Sequence, residues 1–188
     1  MKLILASASP RRAELLQQMG LKFDIKAVDI DESVDAGELP EAYVRRLALQ
    51  KARAAKKFSP AADTLLLGSD TAVIVDADIL GKPTDKQHAL DMLRRLSGRS
   101  HTVLTSVAII GTEELCIVCQ SEVSFSTIDE QQLEWYWASG ESTGKAGAYG
   151  IQGKAAVFIQ RIEGSFSGVM GLPIYETNQL LKQQGFKL

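Results

Sequence analysis

The 188-residue sequence has few of the residues that mark several common classes of protein. It contains two cysteines and two histidines, and its 21 lysines and arginines are outnumbered by 23 aspartates and glutamates. Two cysteines cannot build a disulfide-rich scaffold, and a net charge of −2 disfavours a duplex nucleic-acid binder, which normally has a basic excess. We therefore expect a globular chain that folds without a disulfide or a structural metal.

Long hydrophobic runs are missing as well. No apolar stretch approaches the length of a membrane span, and the apolar residues that follow Met1 are too few for the central region of a signal peptide. We expect a cytoplasmic protein whose partners include neither a membrane nor nucleic acid.

The two cysteines, Cys116 and Cys119, have the spacing of redox and zinc-binding motifs. Their surroundings, LCIVCQSEVSF, are typical of a strand, on which residues three apart face opposite sides. There is no second cysteine pair, and neither His88 nor His101 has the spacing of a zinc ligand. We interpret both cysteines as structural thiols.

Three catalytic motifs are absent. The sequence has no G-x-x-x-x-G-K-[ST], which excludes a P-loop enzyme. The stretch GSFSG has phenylalanine where a nucleophile elbow needs serine. Neither histidine lies near a nucleophile motif, so a serine or cysteine triad is disfavoured.

The hydrophobic pattern predicts alternating strands and helices in the N-terminal half. Strands are predicted at 2–6, at 22–28 and in the apolar stretch TLLLGSDTAVIV, and helices are predicted to begin at Pro10 and Pro40. This order is typical of an α/β fold.

The second half has a different pattern. Two long apolar stretches flank GTEE and predict a β-hairpin, and AVFIQRIEGSF predicts a further strand. Two helices are predicted behind the capping boxes Thr84–Gln87 and Thr127–Glu130, and a last one runs from Pro173. We expect a mixed α/β architecture whose sheet is mostly antiparallel in this half.

Two arginines, Arg11 and Arg12, fall in the first turn of the helix that begins at Pro10, with Ser9 as its N-cap. The free N–H groups and the dipole make this the unfavourable end for cations. A bound anion would explain both side chains. The alternative is that both point into solvent at little cost.

Lys51 and Asp70 also break the local pattern. Lys51 lies on the apolar stripe of the second helix, so its ammonium either reaches out to water or lines a cleft. Asp70 interrupts an apolar strand, where a carboxylate is costly unless it is paired or bound to a metal. Gly68 would permit a bulge that turns Asp70 into a site; the alternative is an exposed residue of an edge strand.

Glu32 and Lys82 are weaker signals. Glu32 belongs to an acidic loop of the kind that is usually solvated, and Lys82 lies in a GKP turn. Glu32 together with Asp70 would suit a divalent cation, because magnesium binds a few carboxylates plus phosphate oxygens. Taken together, the arginines, lysines and carboxylates are those expected of a site for a polyphosphate and a metal.

Seven stretches resemble the Maf family of nucleoside triphosphate pyrophosphatases, in the family's order and from residue 3 to about residue 181. They are LILASASPRRAELL, RLALQKA, GSDTAVIV, GKP, LSGRSHTVLTSVA, KAGAYGIQG and VMGLPIYET. The resemblance implies one Maf domain over residues 1–188 with a Maf/Ham1 (ITPase-like) α/β fold. An elongated mixed β-sheet with flanking helices would form two lobes around a central cleft.

The implied reaction converts a nucleoside triphosphate into its monophosphate and pyrophosphate. Water attacks the α-phosphorus with the help of a divalent cation, magnesium or manganese, and such proteins are often homodimers. One alternative is the same chemistry on a modified nucleotide. Another is a nucleotide-binding regulator of cell division that hydrolyses weakly.

The resemblance also gives expected roles to ten residues. The catalytic set is Asp70 as the base with Glu32, Lys51 and Lys82, and the metal ligands are Glu32 and Asp70. The phosphate-binding loop is Ser7, Ser9, Arg11 and Arg12. Arg12, Thr71 and Gln152 follow the pattern of relatives that act on dTTP and UTP, and hydroxyl and amide groups suit the edge of a pyrimidine.

Overall fold

A computed structural model of the chain describes residues 1–58 and 63–187. Its strands are β1 (Lys2–Leu5), β2 (Asp24–Ile25), β3 (Thr64–Val75), β4 (Asp78–Leu80), β5 (Ser100–Ile110), β6 (Glu114–Phe125) and β7 (Ile159–Glu163). Its α-helices are α1 (Pro10–Gln18), α2 (Pro40–Ala54), α3 (Lys86–Leu96), α4 (Glu130–Ala138), α5 (Phe166–Met170) and α6 (Ile174–Gln183). Short 3₁₀ helices cover Ala55–Phe58, Ala146–Ala148 and Lys154–Phe158.

The strands form one mixed sheet with the order β2-β1-β3-β5-β6-β7, and β4 pairs with β3. The pairs β1–β2 and β1–β3 are parallel, whereas the strands of the second half pair in the antiparallel sense. The prediction of a mixed, elongated sheet with flanking helices and an antiparallel second half is confirmed.

Alternate residues of β3 pack on opposite faces of the sheet, as the strand period requires. Leu66 faces α2, where it packs with Ala48 and Ala52. Leu67 and Val73 belong to the larger core on the other face, with residues of α1, α3, α4 and α6. We call these the α2 face and the α1 face.

The middle of β3 has a neighbour on one edge alone. β1 pairs with β3 as far as Leu67, and β4 pairs with it from Val73 onward. Between these two points, residues 68–72 are paired with β5 but with no other described strand. The sheet therefore has a gap beside residues 68–72, and both of its faces can be reached there.

Two predicted strands differ from the structure. The strand predicted at 22–28 is reduced to Asp24–Ile25, which makes two register contacts with β1. The strand predicted to begin at Ala156 begins at Ile159, because Lys154–Phe158 forms a 3₁₀ helix. Its apolar residues, such as the buried Phe158, pack into the core from that helical turn.

Both predicted capping boxes are wrong in position. Asp85 caps α3 by accepting a hydrogen bond from His88 N at 2.8 Å, and Asp129 caps α4 with Gln132 completing the box. Aspartate accepts a hydrogen bond from a backbone N–H in the same way as threonine, so the sequence alone does not distinguish between neighbouring capping residues.

No helix among residues 1–58 and 63–187 is long and apolar enough to cross a membrane.

The cysteines have the predicted arrangement. Both lie on β6 and are free thiols; Cys116 is half-buried and Cys119 is buried. Cys116 contacts Ser106 Oγ at 3.2 Å, and Cys119 faces the start of α5, near Gly168. Burial raises the pKa of both thiols, which makes them poor nucleophiles and poor metal ligands.

Candidate active site

A cleft of about 680 Å³ opens at the gap in the sheet. Because Asp70 and Thr71 are consecutive in β3, their side chains leave opposite faces of the sheet, yet the gap brings both to this cleft. All ten residues singled out in the sequence line it: Ser7, Ser9, Arg11, Arg12, Glu32, Lys51, Asp70, Thr71, Lys82 and Gln152.

Gly68 positions α2 against the strand. A Cβ at Gly68 would lie 2.2 Å from the carbonyl oxygen of Ala48 and 2.6 Å from the nitrogen of Ala52, so only glycine allows this approach. The predicted bulge at Gly68 is wrong, because the register between β3 and β5 runs without interruption. Close packing of the helix, rather than a kink in the strand, brings Lys51 to Asp70.

On the α2 face, two carboxylates and two lysines form what we call the carboxylate–lysine cluster: Glu32, Lys51, Asp70 and Lys82. Lys51 Nζ lies 2.6 Å from Asp70 Oδ1 and 2.7 Å from Glu32 Oε1. Lys82 Nζ lies 2.9 Å from Glu32 Oε2. Lys51 is 7% exposed, so its ammonium is held between the carboxylates and does not extend into solvent.

The pKa values of the two carboxylates are shifted in opposite directions. Burial raises the pKa of Asp70 above its usual value, against the opposing effects of the Lys51 and Arg12 charges. For Glu32, partial burial works against ionisation, but hydrogen bonds from Lys51 and Lys82 outweigh it and lower the pKa to about 2. A raised pKa is what a general base requires, whereas Glu32 stays ionised.

On the α1 face, Arg12 binds oxygen atoms that carry no charge. Its Nε donates to the carbonyl oxygen of Gly171 at 2.8 Å, Nη1 to Ser7 Oγ at 3.1 Å and Nη2 to Thr71 Oγ1 at 3.5 Å. Thr71 is held in turn by the buried Thr105, whose Oγ1 lies 3.0 Å from Thr71 Oγ1. The Arg12 guanidinium therefore fixes the positions of Ser7 and Thr71 relative to each other.

The start of α1 also faces the cleft. Ser7 Oγ accepts a hydrogen bond from Ser9 N at 3.1 Å, while the Ser9 side chain makes no capping bond to the helix. Arg11 Nε donates to the carbonyl oxygen of Met170 at 3.4 Å. Uncapped N–H groups at a helix start, with two guanidinium groups beside them, are well suited to bind an anion.

Gln152 lies on a glycine-rich loop, 144–153, that is fixed at several points. Gly147 N donates to the carbonyl oxygen of Gly81 at 3.1 Å, next to Lys82, and Gly150 N donates to Tyr136 Oη at 3.2 Å. A Cβ at Gly147 would lie 3.0 Å from Val73 side-chain atoms, and its φ is +65°. Gln152 itself is exposed and makes no hydrogen bond with another described residue, so its amide is free to bind a ligand.

The cleft wall includes further polar residues that were not predicted, among them Glu14, Glu141, Lys145 and Tyr149. Glu141 Oε2 accepts a hydrogen bond from Lys154 N at 2.8 Å and so holds the end of loop 144–153. Tyr149 Oη lies 2.7 Å from Nε2 of the buried His101. Lys145 and Tyr149 lie in the stretch KAGAYGIQG, in which the family resemblance predicts a role for Gln152 alone.

The donor atoms of the cleft suit a hard divalent cation only in part. No group of three or more histidine, cysteine, aspartate or glutamate side chains that could hold a metal occurs among residues 1–58 and 63–187. Glu32 and Asp70 nevertheless place two carboxylates within hydrogen-bond distance of one ammonium. Magnesium commonly takes one or two carboxylates and completes its shell with water and substrate phosphates, so this pair fits it.

Comparison with known proteins finds solved structures with a weak similarity and curated relatives with a strong one. The Ham1 protein of Staphylococcus aureus matches 66% of this chain and 72% of its own, at 13% identity and a TM-score of 0.47, which is too low to support an argument. A protein of Hydrogenovibrio crunogenus named dTTP/UTP pyrophosphatase is 46% identical, over 98% of this chain and 97% of its own length.

The same name is given to a protein of Hahella chejuensis that is 49% identical, over 100% of this chain and 94% of its own length. The Maf family, described as Maf-like protein, matches residues 2–184. These residues include all ten predicted site residues and the whole sheet. The chain therefore belongs to the Maf family.

Proposed function

We propose that this protein hydrolyses dTTP and UTP to the nucleoside monophosphate and pyrophosphate, and so removes unwanted nucleotides from the cellular pool. The main support is the buried Asp70, 6% exposed, whose pKa is raised by burial in a cleft otherwise rich in cations. A protein that only binds nucleotides would need the cations but not this carboxylate. Relatives of nearly the same length are named for the activity.

In this proposal Asp70 accepts the proton of the water that attacks the α-phosphorus. Lys51, which contacts Asp70 at 2.6 Å, positions the carboxylate and offsets the negative charge that grows as the bond breaks. Lys82 and Lys51 keep Glu32 ionised. Ser7, Ser9, Arg11 and Arg12 bind the phosphate oxygens together with the uncapped start of α1.

Glu32 and Asp70 are the residues proposed to hold a magnesium or manganese ion. When bound, such an ion neutralises phosphate charge and lowers the pKa of a coordinated water. The ammonium of Lys51 now lies between the two carboxylates and gives each of them a positive partner without the ion.

Base selectivity is assigned to Arg12, Thr71 and Gln152. Arg12 and Thr71 are in contact, and Gln152 reaches the cleft from loop 144–153. Their guanidinium, hydroxyl and amide groups can bind the oxygens and the ring N–H of uracil and thymine.

We further propose that the chain is a single two-lobed domain that acts as a homodimer in the cytoplasm on free nucleotides. Light scattering on the purified protein tests the dimer. The net charge of −2 is compatible with a free nucleotide as substrate rather than a nucleic-acid duplex.

The experiment is pyrophosphate release by the purified protein with magnesium or manganese. The panel holds dTTP, UTP, CTP, GTP, 7-methyl-GTP and modified pyrimidine triphosphates. We expect selective turnover of dTTP and UTP. The variant Asp70→Asn should bind these nucleotides with unchanged affinity, while its kcat falls by about 10²–10⁴, the range for loss of a general base.

Each other result is informative. Turnover of a different nucleotide would support the reaction but contradict the specificity proposed for Arg12, Thr71 and Gln152. If Asp70→Asn leaves turnover unchanged, Asp70 is not the general base. Binding without turnover of any nucleotide supports the regulatory alternative.

A further inference from the structure

Lys145 is fixed along the wall of the cleft. It is half-buried, and its stem lies across Gly150, where an added Cβ would approach Lys145 Cε to 2.9 Å. Its Nζ donates to the carbonyl oxygen of Glu141. One hydrogen bond leaves the other two N–H groups of the ammonium unused.

Lys145 has a cationic neighbour. Burial lowers the pKa of the Lys145 ammonium, and the nearby positive charge of Arg11 lowers it further. Within residues 1–58 and 63–187, neither side chain forms an ion pair with a carboxylate; Arg11 Nε donates to the carbonyl oxygen of Met170 at 3.4 Å. Burial also lowers the pKa of Arg11, and it outweighs the opposing charges of Glu14, which raises the pKa of Arg11, and of Glu141, which raises the pKa of Lys145. Two half-buried cations without a direct carboxylate contact gain from an anion that binds between them.

The other two lysines of the cleft wall are in a different situation. Lys51 and Lys82 form ion pairs with Glu32, and Lys51 also pairs with Asp70. Lys51 and Lys82 thus contact carboxylates directly, whereas Arg11 and Lys145 form no ion pair with a carboxylate of the described residues. These two side chains also come from separate parts of the chain, the start of α1 and loop 144–153, so a ligand between them would connect the two.

We infer that Lys145 and Arg11 together bind the terminal phosphates of the nucleoside triphosphate, which leave as pyrophosphate. The inference rests on the proposed function for the identity of the substrate. A phosphate chain is favoured over the base, because uracil and thymine are uncharged and two cations that no described carboxylate contacts directly favour an anion. Lys145 then has a role separate from that of Gln152, seven residues further along the chain.

The test measures binding of inorganic pyrophosphate with magnesium by calorimetry, which needs no turnover. Lys145→Gln should weaken pyrophosphate binding by about tenfold or more, the effect of losing one hydrogen bond to a charged group. The matched control is Lys154→Gln in the exposed lysine that follows the loop, whose Nζ lies over the Trp135 ring and which does not line the cleft. The control should leave the affinity unchanged.

Kinetics with UTP and dTTP provide a second measurement. Lys145→Gln should raise KM for both nucleotides by the same factor, and Lys145→Arg should restore most of the pyrophosphate affinity. If Lys145→Gln does not fold, Lys145→Met is the test variant, because it keeps the aliphatic stem over Gly150.

Unchanged pyrophosphate affinity in the variant would overturn the inference. A changed ratio of UTP to dTTP turnover with unchanged pyrophosphate affinity would also overturn it, and would place Lys145 at the nucleoside. If the wild type binds pyrophosphate but hydrolyses no triphosphate, the proposed function fails while the anion site remains.

Discussion

The two faces of the sheet meet in one cleft, but the cationic side chains on them have different partners. On the α2 face, Lys51 and Lys82 form ion pairs with Glu32 and Asp70. On the α1 face, Arg11, Arg12 and Lys145 donate to carbonyl and hydroxyl oxygens.

Positive charge on the α2 face is thus largely cancelled, whereas on the α1 face it is available for a ligand. One strand can separate the two tasks because consecutive residues, Asp70 and Thr71, point to opposite faces. In the proposed function, proton transfer belongs to the α2 face and phosphate binding to the α1 face. Variants on each face should therefore change different kinetic constants.

Among variants that compare the two faces, the largest effect is expected for Lys51→Met, which removes an ammonium in contact with both carboxylates. The kcat should fall by about 100-fold, as on loss of a preorganised charge, with a smaller change in KM. Asp70 must be ionised to accept a proton, so kcat/KM rises with pH through its pKa. Loss of the Lys51 charge raises that pKa further, and the acid limb of the pH profile should move to higher pH.

The matched control for Lys51 is Lys82→Met. Lys82 contacts Glu32 alone of the two carboxylates, and its side chain is 60% exposed. It should lower kcat less and leave the acid limb where it is. Equal shifts of the acid limb in both variants would show that the two lysines affect the pKa of Asp70 equally, which contradicts the prediction.

A smaller effect, on stability, is expected for Gly68→Ala. The new methyl group would meet the backbone of α2 at 2.2 Å, and backbone cannot move aside as a side chain can. Unfolding in urea should show a loss of about 2 kcal/mol, typical of overpacking. The control is Gly81→Ala, whose Cβ would have no neighbour within 4 Å. A Gly68→Ala protein as stable as the control would contradict close helix packing as the source of the Lys51–Asp70 contact.

The smallest effect is expected on the α1 face, for Arg12→Lys. Lysine keeps the charge but cannot reproduce the guanidinium contacts with Gly171, Ser7 and Thr71. KM for UTP should rise by about tenfold while kcat changes less, because the variant loses about one hydrogen bond to a charged group. Arg161→Lys, in an exposed ion pair with Glu163, is the control and should change neither constant. A fall in kcat at constant KM would contradict the expectation that variants on the two faces change different kinetic constants.

Sequence reasoning found much of the site because chemistry is visible in residue type. Arg11 at a helix start and Asp70 inside an apolar strand both contradict local rules, and such conflicts tend to mark functional positions. The motifs quoted for the family then added Ser7, Thr71 and Gln152, which no local rule distinguished. All of these side chains line the cleft.

Other predictions failed where a single stretch of sequence allowed two outcomes. Gly68 was compatible with a bulge, but its role is to let α2 approach, which depends on a helix about twenty residues earlier in the chain. Lys145 lies in the family motif KAGAYGIQG, yet only its neighbours in space show that Arg11 is close to it and that its ammonium donates to a carbonyl oxygen.

By itself the sequence determined most of the strands and helices and most of the polar groups in the cleft, because periodicity and residue chemistry are local properties. Only the tertiary structure decided that β1 and β4 leave residues 68–72 of β3 open on one edge. That gap joins the two faces, and the distances between side chains of different elements then decide which cations are paired with a carboxylate. Pairing and burial depend on contacts between distant parts of the chain, which residue order alone does not contain.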